Sequence, residues 1–149
     1  MYTPKYFKLS EFLHSDTAID NKFENIPDWN GINKLLLIAE RLDIYREALG
    51  EAMFISSGYR CPLLNVKVGG TPTSHHCNCS AVDLQIGKRT KADAIRLYKF
   101  IKEYNQTHNL IVDQVFLEHK ALNNSWWVHF GLNLDEPEKM RNYYGELIV

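Results

Sequence analysis

The sequence has no apolar run approaching the roughly 20 residues that a membrane-crossing helix requires, so no membrane span is expected. Residues Met1 to Ser10 are polar and aromatic and lack the apolar core of a secretory leader. An excess of one charge sign is also absent, with 17 Lys and Arg against 18 Asp and Glu. That balance supplies no basic face for phosphates, and nucleic acid is not an expected partner. Cysteine is sparse and odd in number: Cys61, Cys77 and Cys79. Three thiols do not make a disulfide framework, and neighbouring side chains in a C-x-C diverge, so folding in a reducing compartment is expected. There is no repeat, low-complexity tract or Pro/Ser linker. One continuous domain over residues 1–149 is expected, long enough for one core.

What is present is a clear alternation of helix and strand patterns. A short helical turn is expected from Ser10, with that serine as N-cap. Residues 21–30 read as a polar loop. Apolar residues at three- and four-residue steps predict a helix from Ile32 to Leu49, stopped by Gly50. Met53 to Ser57 reads as a buried strand, and Pro62 opens a helical turn within Cys61–Val68. Gly69-Gly70 and Thr71-Pro72-Thr73 force an irregular loop. Ala81 to Ile86 is a strand. Thr90, with Asp93 three residues on, caps a second helix running to about Tyr104. Val112–Glu118 and Trp126–Leu132 are further strands, joined through Asn123-Asn124. The order predicts an α+β domain with a small, largely antiparallel sheet.

Three segments carry chemistry. They are Ser57-Gly58-Tyr59-Arg60, the stretch from Ser74 to Asp83, and Trp126-Trp127-Val128-His129. A histidine ending a loop and an aspartate on the next strand can converge on one ion. A third ligand from another strand would leave a coordination position open for water, and His129 is suitably placed. Spacing alone leaves other readings open. Cys77 and Cys79 beside His75 and His76 could form a structural zinc site, or one of them could serve as a nucleophile. Either could equally be a small buried filler.

The residues together resemble a known family. Ser74-x-His76-x-x-Cys79-x-Ala81-x-Asp83 is similar to the S-x-H-x-x-G-x-A-x-D motif of the zinc D-Ala-D-Ala carboxypeptidase and L-alanyl-D-glutamate endopeptidase family. Ser57-Gly58-Tyr59-Arg60-Cys61-Pro62, with Asn65 and Gly69-Gly70, resembles that family's S-G-Y-R stretch. Trp127-Val128-His129 resembles its closing W-V-H strand. Asp113 to Glu118 resembles the d-Q-v-i-x-E strand of one branch, and Phe7 to Phe12 resembles the usual entry. The resemblance implies a hedgehog/DD-peptidase-like fold. It implies one zinc ion held by His76, Asp83 and His129, and Arg60 as the holder of a substrate carboxylate or carbonyl. It places Ser74 in a hydrogen bond near the site. Arginine suits its task through the planar fork of donors it offers a carboxylate.

Two positions depart from the pattern. The family glycine is Cys79 here, which is strained if that position needs positive φ. Several members carry an acidic base three residues before the last histidine, where this chain has Trp126. Glu118 is the expected replacement, facing the site if strands 112–118 and 126–132 pair. By alternation, Trp127 shares the face of His129 and His119 opposes that of Glu118. Trp127 and Tyr59 are expected along the substrate groove. The implied activity is hydrolysis of an amide bond in a peptidoglycan stem peptide. The alternative is a non-catalytic zinc module that binds wall peptides or a protein partner, as the resemblance to hedgehog signalling domains of this fold implies. Synthesis in the cytoplasm is expected, with access to the wall through lysis or injection if the gene is phage-borne.

Overall fold

A computed structural model describes residues 1–149. Its elements are α1 (Leu9–Leu13), α2 (Asp16–Asp20), α3 (Trp29–Leu49), β1 (Met53–Ser57), α4 (Pro62–Lys67), β2 (Ala81–Ile86), α5 (Lys91–His108), β3 (Gln114–Lys120), β4 (Ser125–Gly131) and β5 (Tyr143–Ile148), with a 3-10 turn at Pro137–Lys139. The fold is α+β. Five strands form one sheet in the order β1-β2-β4-β3-β5. Its pairs are antiparallel except β3 with β5, which run parallel. No helix is long and apolar enough to cross a membrane.

Local chemistry explains most element ends. Asp28 caps α3 by accepting from the Gly31 amide at 2.8 Å, so the helix starts before the expected Ile32. Gly50 ends it at φ 75°, a left-handed stop. Thr90 and Asp93 form the expected reciprocal cap of α5, but that helix continues past Tyr104 to His108, where Asn109 takes the left-handed stop. The cap of α1 is Lys8 rather than Ser10. The Lys8 amide donates to the Glu11 carboxylate at 2.7 Å. Two elements were not anticipated, α2 and β5.

The sheet has two unlike faces. Val82, Leu84, Ile86, Val115, Val128 and Phe130 point toward α3 and α5, meeting Leu35, Ile38, Leu42, Leu97 and Ile101 in the main core. Tyr45 anchors this layer, edge-on to Phe130 at 5.6 Å between ring centres. Its buried hydroxyl donates to Asn105 Oδ1 at 2.6 Å, which removes the cost of an unpaired polar group. The alternate residues of the same strands, Asp83, Gln85, Phe116, Glu118, Trp127 and His129, line a cleft on the opposite face.

Candidate metal centre and cleft

Asp83 on β2 and His129 on β4 are direct cross-strand partners, so the pleat alone sets their side chains together on one face. His129 Nδ1 lies 3.1 Å from Asp83 Oδ1. The third member, His76, comes from the loop before β2, and its Nε2 lies 3.3 Å from the same oxygen. All three are buried. Their donor atoms lie within 4.8 Å of one another. Ligand bonds of about 2.1 Å in a tetrahedron hold donor atoms about 3.4 Å apart, so the spacing fits a zinc ion. The donor set of two imidazole nitrogens and one carboxylate oxygen fits it too.

The surroundings aim these groups. His76 Nδ1 lies 2.8 Å from the Gly58 carbonyl. A proton on Nδ1 donated to that oxygen leaves the Nε2 lone pair facing Asp83, as a metal ligand requires. Gly58 can present its carbonyl only because it has no side chain. A Cβ there would sit 2.1 Å from the Phe12 carbonyl oxygen. The entry segment α1 therefore docks under Ser57-Gly58-Tyr59-Arg60, and the Tyr59 amide donates to that same Phe12 oxygen at 2.8 Å. Ser74 Oγ accepts from the His76 amide at 3.3 Å. Phe116 stacks on the His129 ring at 5.9 Å between centres.

The loop carrying His76 is tied to the body by a residue without a motif. Buried Lys34 of α3 donates to the Asn78 side-chain oxygen at 3.3 Å and pairs with Asp135 at 2.8 Å. No metal-ligand pattern signals Lys34. A lysine on the inward stripe of α3 was its only trace.

Electrostatics concentrate on the same three residues. Burial alone would raise the Asp83 carboxyl, but the two imidazoles outweigh it and hold it well below the usual carboxylate range. Burial pushes His129 down, yet its hydrogen bond to Asp83 wins and the ring sits above its ordinary value. Burial raises the Glu118 carboxyl.

The centre opens into a cleft of about 900 Å³. Arg60, Ser74, Glu118 and Trp127 all line it. Arg60 stands 3.6 Å from the free Asp83 oxygen, and its Nε donates to Ser57 Oγ at 3.3 Å. A bulge between Ile55 and Ser57 brings that serine opposite Asp83. Glu118 and Trp127 are cross-strand partners, and Trp127 Nε1 donates to Glu118 Oε2 at 2.7 Å. Trp126 faces the other way, where it stacks on His119 at 4.0 Å. In this strand, a residue three before His129 has the wrong parity to reach the cleft.

Tyr59 is the one expected groove residue that the cleft does not include. Its ring packs between the main core and a small cluster of Ala18, Cys61 and Leu64. The backbone turn that Gly58 permits carries it inward. The cysteines form no metal cluster with the histidines. All three are free thiols. Burial raises Cys77 and pushes Cys79 up to about 11, which disfavours the thiolate a nucleophile needs. His75, the neighbour of His76, lines the cleft as well, and so do Gln114, Phe116, Leu147 and Val149, which no motif assigns to a groove.

A peptidase M15 family profile matches residues 5–129. This chain belongs to the peptidase M15 family. The match runs from the α1 entry through all three candidate metal ligands and ends at His129. A search of curated proteins finds no match. Within this M15 chain, β5 lies beyond the matched span.

Proposed function

We propose that this protein is a zinc metallopeptidase that hydrolyses an amide bond in peptidoglycan stem peptides. The observation that carries the reading is the trio of donor atoms of His76, Asp83 and His129, at ligand spacing in a cleft that also holds Glu118 and Arg60. A bound zinc ion would supply a Lewis acid for the scissile carbonyl and lower the pKa of water to about 7.

The chain's own groups do the rest. Glu118 accepts the proton of the attacking water and passes it to the departing amine. Its raised carboxyl suits a group that must both take and return a proton. The Trp127 indole N–H holds one carboxylate oxygen and leaves the other free for that exchange. Arg60 binds an acidic end of the peptide with its planar donors. Ser74 orients the backbone of His76 and lines the substrate path. The segment Asp113 to Glu118, which puts Glu118 on β3 beside the ligand strand β4, supports the branch with a d-Q-v-i-x-E strand before the W-V-H strand.

One observation favours a second reading, a zinc module that binds wall peptides without cutting them. The position at which several members of the family carry an acidic base holds Trp126, which points away from the cleft. Digestion of purified peptidoglycan by zinc-loaded protein, with and without chelator, separates the two. Release of new amino groups that stops on chelation is the expected result. Binding with no release at high enzyme concentration would exclude the peptidase.

A further inference from the structure

The family match ends at His129, yet the cleft does not. Leu147 and Val149 belong to its lining, and both follow from β5. In the parallel β3–β5 register, Gly145 lies beside Phe116 and Leu147 beside Glu118. Residues in register on adjacent strands share a face. The cleft face of β5 therefore runs Tyr143, Gly145, Leu147, with Gly145 presenting no side chain beside Phe116. Tyr143 packs edge-on to Phe116 at 5.1 Å between ring centres. The Tyr144 hydroxyl, on the other face, accepts from Asn105 Nδ2 of α5 at 3.1 Å.

The start of β5 is fastened firmly. Buried Asp113 accepts from Arg141 Nε at 3.0 Å and from its terminal nitrogen at 2.7 Å. The Asn142 side chain accepts from the Val112 amide at 3.1 Å, and the Tyr143 amide donates to the Asp113 carbonyl at 3.0 Å. These bonds fix the register that puts Leu147 next to Glu118.

The cleft is therefore lopsided. Arg60, Ser57, Ser74 and the glycine-rich loop make a polar wall beside β1. Phe116, Leu147 and Val149 supply apolar surface toward β5, among the polar Gln114, Glu118 and Lys120 of β3, and Trp127 adds its ring from β4. Asp83 and His129 lie between. Gly145 is two strands from His129, about 10 Å at the usual spacing, which is about three residues of extended peptide. Leu147 is 44% exposed, so apolar surface there still faces solvent.

We propose that β5 builds an apolar substrate subsite over Phe116 and Gly145, walled by Leu147 and Val149. It takes an apolar side chain of a bound peptide whose acidic end lies toward Arg60. The proposal rests on the peptidase reading and adds the specificity of the same site. Leu147 and Gly145 are specificity residues that touch substrate and take no part in proton transfer.

The test uses zinc-loaded protein and synthetic pentapeptides with a free carboxylate, carrying Gly or Leu at one position at a time. Both kcat/KM and Kd are measured. Native protein should prefer Leu at one position by about tenfold, given a factor of about four per buried methylene and partial burial. Leu147→Ser and Gly145→Val should each bring that ratio toward one. A Cβ at 145 meets only the Phe116 ring, at 3.5 Å, an ordinary contact, and the valine methyls then take up space beside that ring. Ile148→Ser, on the opposite face of β5, should keep the native ratio. Zinc content and circular dichroism check that each variant is folded. A flat Leu/Gly series in native protein, or one unchanged by both cleft-face variants, overturns the subsite. Preferential binding of Leu peptides with no cleavage of any supports the subsite and refutes the hydrolase instead.

Discussion

Cys79 and Gly31 share one small space: a Cβ on Gly31 would lie 2.8 Å from the Cys79 sulfur. Cys79 stands where the family has glycine, and it adopts φ 54°, the left-handed conformation that glycine tolerates. Left-handed backbone costs a non-glycine residue roughly 1–2 kcal/mol. The buried sulfur offsets part of this by packing where α3 has no side chain. Gly31→Ala should therefore destabilise by about 1–3 kcal/mol through overpacking against both the Cys79 sulfur and Pro27 Cβ, although alanine is the better helix former. In a Cys79→Gly background that cost should shrink. A double-mutant cycle by urea denaturation measures the coupling, and additivity of the two changes would refute the shared space.

Gly58 links stability to metal binding. Its carbonyl fixes the His76 ring, and its missing side chain lets the chain pass Phe12. Gly58→Ala should lower the melting temperature and weaken zinc affinity about 10–100-fold, the usual effect of disturbing a ligand's hydrogen-bond partner. Competition with a chromogenic chelator reads the affinity. Native affinity in this variant would show that the carbonyl does not orient His76.

Glu118→Gln tests the base assignment. The amide keeps the Trp127 hydrogen bond and the shape of the cleft but cannot accept a proton. Zinc content should stay at the native level while turnover falls by about 10²–10⁴. Retained turnover removes Glu118 from proton transfer and returns the question to another cleft residue.

Acid should loosen β5. Hydrogen bonds from Arg141 hold the Asp113 carboxyl below the usual carboxylate range. A depressed carboxyl contributes stability that is fully present above its unfolded value, about 3.9, and lost as pH falls through the lower folded value. Arg141 is half exposed, so the pair is worth only about 1 kcal/mol. Arg141→Gln should be less stable than native protein at pH 6 and nearly equal to it near pH 2. Denaturation midpoints at the two pH values check the sign, and a gap that widens in acid would contradict it.

Much of the site was legible because parity carries it. Once Asp83 and His129 lie on paired strands, alternation puts Trp127 and Glu118 in the cleft and sends Trp126 and His119 behind it. Glycine and proline punctuation placed the Gly50 stop, the Pro62 start and the loop after Gly70. Short or weakly patterned segments were not legible. Asp16–Asp20 is a single helical turn with only Ala18 buried. Trp29-Asn30-Gly31 reads as loop unless Asp28 is seen to be a cap. β5 pairs with a strand distant in sequence and keeps no buried alternation, so no local window reveals it. Tyr59 was misplaced because the close passage at Gly58 is a tertiary fact.

Asp83 and His129 sit on hydrogen-bonded central strands and cannot part without unzipping the sheet, whereas His76 rides a loop. Ion exchange should accordingly be a one-sided process in which the loop swings and the sheet stays still. Its rate would then report how firmly Lys34 grips Asn78 and Asp135. Lys34→Met should speed zinc release in stopped-flow chelation, and unaltered kinetics would mean that escape follows another route.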